Sequence, residues 1–203
     1  MKKFASLVVA SAAFAALAVG SAQATPITFN FAAADNPIGG SIVGVSSITF
    51  SNCLGCLSVT ATAQNGNVNA TKVRPSNQGG LGVNSPGDDN PQVDGKGILD
   101  ILNLTFSKAV KIRSAVFTYI TPTEKVSFSI DGSSLGNLTG LTGNHFFAGQ
   151  SGTLFSFGAV TKSDAFKLKS ISVSPVPLPP ALLLFASGLF GIGLLGRRRN
   201  KAI

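Results

Sequence analysis

Tryptophan is absent from this 203-residue chain and tyrosine occurs once. Sugar-binding platforms draw on those two residues, because each joins a broad apolar ring to a polar handle. Tyr119 therefore stands alone, and Phe106, Phe117, Phe128, Phe146, Phe147, Phe155, Phe157 and Phe166 read as core rather than as a platform. Histidine also occurs once, as His145 in Asn144-His145-Phe146-Phe147. A lone histidine excludes a histidine-rich metal site. No Gly-x-Ser-x-Gly elbow stands elsewhere to give it a nucleophile, so a satisfied loop histidine is expected. Only eight residues are acidic. Glycoside hydrolysis needs two carboxyl groups at a set separation, one with a raised pKa. Asp88, Asp94, Asp100 and the distant Glu124 nominate no such pair. Nothing in the chain points to an enzyme.

The charge balance changes once the ends are set aside. The whole chain carries +8. Residues 1–24 open with Lys2 and Lys3, run apolar and alanine-rich from Phe4 to Gly20, and close on Ala22-Gln23-Ala24. That order is a secretory signal peptide with a small-x-small cleavage site at Ala22 and Ala24. Export by the Sec machinery and a mature start at Thr25 are expected. Four more basic residues lie beyond position 196, which leaves ten Lys/Arg against eight Asp/Glu between, a net of +2. Nucleic-acid binding asks for a basic patch on the domain itself, so no nucleic-acid partner is expected.

The only cysteines are Cys53 and Cys56, spaced C-x-x-C. In an exported chain this spacing reads differently from a cytosolic redox motif. No helix N-terminus is at hand to lower a thiol pKa. Zinc would need two further ligands, and His145 supplies at most one. A disulfide stapling a turn is the expected state.

The far end reads V-P-L-P-P-A-L-L-L-F-A-S-G-L-F-G-I-G-L-L-G-R-R-R-N-K-A-I from Val176 to Ile203. A proline-rich lead (Pro175, Pro177, Pro179, Pro180) comes first, where strand and helix interiors are both interrupted. An uncharged apolar run from Ala181 to Leu195 follows, and Arg197, Arg198, Arg199 and Lys201 close it. With its lead the run approaches the roughly 20 residues that cross a hydrocarbon core. The arginines are then held on the cytoplasmic side. These 28 residues resemble the PEP-CTERM sorting signal in its V-P-L-P-A variant, carried by Val176, Pro177, Leu178 and Pro179. Pro180-Ala181 stands where the family has alanine directly; Gly188, Gly191, Gly193 and the terminal Arg-Arg-Arg complete the likeness. The resemblance implies an exosortase-like membrane protease as partner and a membrane-anchored intermediate at the inner membrane. It further implies delivery to the outer surface or extracellular matrix, and a link to exopolysaccharide and biofilm.

Residues 25–174 make up the body, enough for one domain with an adequate core. Helix formers are scarce and β-branched or aromatic residues common, which favours strands. Alternation places strands at Ile27–Phe31, Ile42–Phe50, Leu57–Ala63, Ile98–Phe106, Lys111–Tyr119, Glu124–Ile130, Ser134–Leu138, Gly152–Phe157 and Ala165–Val173. Asp131-Gly132 reads as a turn. Residues 64–97 read as loop, with a short strand near Val68–Val73 at most. Eight to ten strands without a helix between the termini predict an all-β fold, a β-sandwich, with jelly-roll order preferred. Gly80-Leu81-Gly82-Val83 with the acidic stretch and two strands after it also resembles the bodies of PEP-CTERM proteins, a looser likeness than the tail.

Asp88, Asp89 and Asp94 form the one acidic concentration, in a loop rich in Asn, Ser and Gly. Oxygen ligands on such a loop suit a hard cation such as calcium, although no EF-hand spacing is present. The plainer alternative is a solvated loop of Asx-turns. Three functions follow in order: a structural or adhesive envelope protein, a carbohydrate-binding sandwich that calcium stabilises, and a polysaccharide-active enzyme.

Overall fold

Valine, isoleucine and phenylalanine at alternate positions make nearly every described segment a strand with one buried side. The computed structural model describes residues 24–32, 44–52, 57–66, 72–76, 79–85 and 91–176, with Pro75 and Ser76 as backbone only. Twelve strands follow in order: β1 (Ile27–Asn30), β2 (Ser47–Asn52), β3 (Leu57–Asn65), β4 (Lys72–Ser76), β5 (Gly80–Asn84) and β6 (Val93–Asp94). They continue with β7 (Asp100–Thr118), β8 (Val126–Ile130), β9 (Ser133–Leu138), β10 (Asn144–Phe146), β11 (Ser151–Ala159) and β12 (Ala165–Pro175). The fold is all-β. Two dozen residues at the N-terminus, except Ala24, and the tail from Pro177 onward lie outside the described residues. Among the described residues no helix is long and apolar enough to cross a membrane.

β7 organises the architecture. Its first half pairs with β3 (Val59↔Phe106 to Asn65↔Asp100) and β11 (Leu154↔Thr105 to Gly158↔Ile101). Its second half pairs with β12 (Lys167↔Thr118 to Pro175↔Val110) and β10. One long strand thus serves two sheet regions, the first continued by β2 beyond β3 and by β8 and β9 beyond β11. The second is continued across β12 by β1, β5 with β4, and β6. Phenylalanines from both regions meet between them. Phe29 on β1 contacts Phe106 at 5.8 Å, and Phe117 on β7 contacts Phe157 on β11 at 5.8 Å, both edge to face. The arrangement is sandwich-like.

Sequence expectations fail where the register breaks. Separate strands at Ile98–Phe106 and Lys111–Tyr119 were expected, but one strand runs through both, and Ile98 lies outside it and exposed. A bulge opposite Ser172/Val173 flips the parity of β7, so that Ile112 and then Ala115 and Phe117 all reach the core. A second bulge at Lys169 turns Ile171 inward with Phe166 and Leu168, against the simple alternation. The stretch 64–97 contributes β4, β5 and β6 rather than loop alone. Residues 68–71 of the strand expected near Val68–Val73 lie outside the described ones, and β4 begins at Lys72. The total of twelve strands exceeds eight to ten. His145 sits on a strand, β10, rather than in a loop.

Elsewhere alternation suffices. On β8 Val126, Phe128 and Ile130 are buried and Ser127 and Ser129 are not. Asp131 and Gly132 have φ of 49° and 80°, which closes a two-residue hairpin between β8 and β9.

Candidate functional site

The acidic residues converge only in part. Asp88 and Asp89 lie outside the described residues. Asp94, on β6, is 6% exposed and Asp100, at the start of β7, is 1% exposed. A solvated loop is therefore not where Asp94 resides, although its Oδ1 does accept an Asx-type bond from Lys96 N at 2.9 Å. Asp100, whose parity points it inward, is held by donors. Ser85 Oγ donates to its Oδ1 at 2.5 Å and Asn65 Nδ2 at 2.7 Å, while Asp94 N lies 3.5 Å from its Oδ2. Asn65 Nδ2 also lies 3.0 Å from Ser85 Oγ and 3.0 Å from the Ile98 carbonyl. The strand register explains the meeting, since Asn65 faces Asp100 across β3 and β7. The assembled oxygens are of the kind calcium takes. Among the described residues no group of three or more His, Cys, Asp or Glu side chains comes together.

Of the four carboxylates weighed for glycoside hydrolysis, Asp94 and Asp100 are neighbours and buried, whereas Glu124 caps its own turn by accepting from Thr121 N. His145 packs its ring edge-to-face on Phe147 at 4.8 Å, and burial pushes its pKa down. It is therefore neutral at neutral pH. Cys53 and Cys56 lie outside the described residues, between the last β2–β3 pair, Asn52↔Leu57. Of the sorting motif only Val176 is described, exposed and bonded through its N to the Ala109 carbonyl at 3.2 Å. Pro177, Leu178, Pro179, Pro180, Ala181 and Arg197, Arg198 and Arg199 are not among the described residues, nor is Ala22.

Two further features emerge from the tertiary structure. The first is a groove of about 410 Å³ across the outer face of β3, β7, β11, β8 and β9. Gln64, Asn103, Ser127, Ser129, Ser134 and Ser156 line it with amides and hydroxyls, and Ile101 and Leu154 add apolar surface. Among the described residues no charged side chain lines it. Ser156 Oγ donates to Asn103 Oδ1 at 2.6 Å and Ser127 Oγ to the Gly158 carbonyl at 3.0 Å. The legible signal was a run of uncharged polar residues at outward parity on β8 and β11.

The second is a lysine with its flank on an aromatic ring. Lys167 of β12 is 7% exposed, and its Nζ lies 4.9 Å from the Tyr119 ring centroid. Burial first, then the charge of Arg74, pushes its pKa down. Tyr119 itself is 56% exposed. The other phenylalanines named as core are buried, apart from the exposed Phe146 and the partly buried Phe147.

Compared with protein-family models, curated proteins and solved structures, the chain matches none of them.

Proposed function

We propose that the chain is an exported envelope or matrix protein with a structural or adhesive role, sorted through its C-terminal tail. The single observation behind this is the ordered tail: Val176-Pro177-Leu178-Pro179, an apolar run, then Arg197-Arg198-Arg199. Its position adds support. β12 is tied to β7 up to Pro175↔Val110, and the chain leaves the sheet at an exposed Val176. The motif thus follows directly in sequence on the last residue of the described body. On this reading residues 1–24 direct Sec export, residues 25–174 are the working domain and residues 175–203 are the sorting signal. The protein passes through an inner-membrane intermediate to the outer surface, and it is not an enzyme. The finer jelly-roll order belongs to the same proposal, supported by nested antiparallel pairs: β8–β11 within β7–β12 within β1–β12.

The test is the intact mass of the mature protein from wild-type cells and from cells lacking the sorting protease. Loss of the tail between Pro177 and Ala181 in wild type alone supports sorting. A chain that ends at Ile203 in both overturns it and leaves a plain anchor.

A carbohydrate-binding module is the second reading, and the uncharged groove favours it. Amide and hydroxyl groups on a concave sheet face are complementary to sugar hydroxyls, and Ile101 and Leu154 suit their C–H faces. Calcium at Asp94, with Asp88 and Asp89, would stabilise this module. Polysaccharide pull-down with and without a chelator separates the module from a purely structural protein, and Asn103→Ala should release the polymer if the groove holds it.

A further inference from the structure

Lysine is almost never fully buried unless paired. Lys167 is buried, and among the described residues no carboxylate pairs with it; its contact is the Tyr119 ring. Arg74 deepens the imbalance. It pairs with Gly82 on β5, and the next residue, Leu81, pairs with Leu168 on β12, so Arg74 stands two strands from Lys167. Two cations thus share one corner of the sheet with no described counter-charge.

The corner is also held rigid at some cost. Tyr119 has φ of 55°, a conformation that a bulky side chain adopts rarely and that persists where surroundings enforce it. Gly79 packs closely on the Tyr119 ring and the Lys167 stem. A Cβ there would lie 2.6 Å from Tyr119 Cε2 and 2.8 Å from Lys167 Cδ, so the absent side chain lets the backbone press on both. Thr118 Oγ1 donates to the Gly79 carbonyl at 2.6 Å and fixes that approach. Ammonium and exposed ring are therefore arranged before any ligand arrives, as tight recognition requires.

We infer that Lys167, Arg74 and Tyr119 form a binding site for a carboxylate-bearing sugar, a uronate unit of an acidic polysaccharide. The carboxylate would meet the two cations, and the sugar's C–H face would lie on the exposed part of the Tyr119 ring. A bound carboxylate supplies the counter-charge that the described residues of the corner do not. A neutral sugar offers the ring contact alone. The site is separate from the uncharged groove and does not depend on how the chain is sorted.

The test is calorimetric titration of the purified full chain with oligogalacturonate, a neutral galactose oligomer of equal length, and inorganic phosphate. Binding of the acidic oligomer alone is expected. Lys167→Met should weaken it about tenfold or more, the worth of one charge-assisted contact. Lys167→Arg should retain most of it, and Tyr119→Ala should lose more than Tyr119→Phe. Equal affinity for the neutral oligomer, phosphate binding as tight as the acidic oligomer, or an unaffected Lys167→Met protein each overturns the inference. Replacing an unpaired buried charge by an apolar isostere preserves folding. Tyr119→Ala, on an exposed ring, provides an independent arm.

Discussion

Asp100 and Ser85 are joined by a 2.5 Å hydrogen bond between a carboxylate and a hydroxyl that are both buried. Asn65 completes the arrangement from the facing strand. The bond ties the end of β5 to the start of β7, so it fixes where the long strand enters the core. Asp100→Ala leaves Ser85 and Asn65 without their shared acceptor, and a loss of about 2–4 kcal/mol is expected. Ser85→Ala removes one donor and should cost about 1–2 kcal/mol. Urea denaturation of the three proteins measures both. Equal stability of Asp100→Ala and wild type would mean that the network contributes nothing.

Asp100 also shows how far the sequence reaches. Its parity with Leu102, Leu104 and Phe106 left two readings, a place near the strand edge or a paired carboxylate; its partners Ser85 and Asn65, 15 and 35 residues away, were not legible. Strand type and face were readable on β1, β3 and β8, where the alternation is unbroken. They were misread on β7 and β12, because a bulge inserts a residue without leaving a local signature. β4 and β5 hid for another reason. Their hairpin is written in Gly, Pro, Asn and Ser, whose preference for turns is overridden by close backbone packing. The polar outward positions of β8 and β11 were legible, but their joining into one groove was not, because its lining comes from five strands, each giving one to three residues.

Gly80 and Gly132 both adopt positive φ, 93° and 80°, yet substitution should separate them. A Cβ at Gly80 would sit 2.1 Å from the Leu168 carbonyl oxygen, which is ladder backbone and cannot retreat. A Cβ at Gly132 meets nothing within 4 Å. Gly132→Ala should cost about 1–2 kcal/mol, the left-handed penalty alone. Gly80→Ala should cost well beyond that and detach β5 from β12. Amide hydrogen exchange at Leu81 and Leu168 reports the detachment, and equal losses for the two variants would contradict it.

Acid should unfold the domain through two carboxylates. Asp131 accepts from Leu154 N at 2.8 Å, Thr153 N at 3.0 Å and Thr153 Oγ1 at 3.0 Å, and these bonds hold its pKa below the usual range. At Asp164 burial pushes upward, but donors from Thr161, Lys125 and Val160 outweigh it and the pKa falls. A depressed folded pKa means stability that is present above the unfolded value and lost as pH drops through the folded one. Melting temperature should therefore hold down to about pH 4, near the ordinary Asp pKa, and fall below it. Asp131→Asn cannot ionise, so its gap from wild type should narrow as the pH falls through that window. A gap that stays constant from neutral pH into strong acid would rule out the linkage.

The β2–β3 hairpin offers the cleanest check on the compartment. Its described register closes at Asn52↔Leu57, and Cys53 and Cys56 are the residues adjacent to that pair in sequence. An exported chain meets an oxidising environment, where such neighbours are expected to join. The mature protein should then show no free thiol under denaturing conditions and gain the mass of two hydrogens on reduction. The loop closed is so short that chain entropy gives the bond only about 2 kcal/mol. A Cys53→Ser, Cys56→Ser protein should therefore remain folded, with a modestly lower melting temperature. Two reactive thiols in protein taken directly from the cell envelope would count against the staple and against export through an oxidising space together.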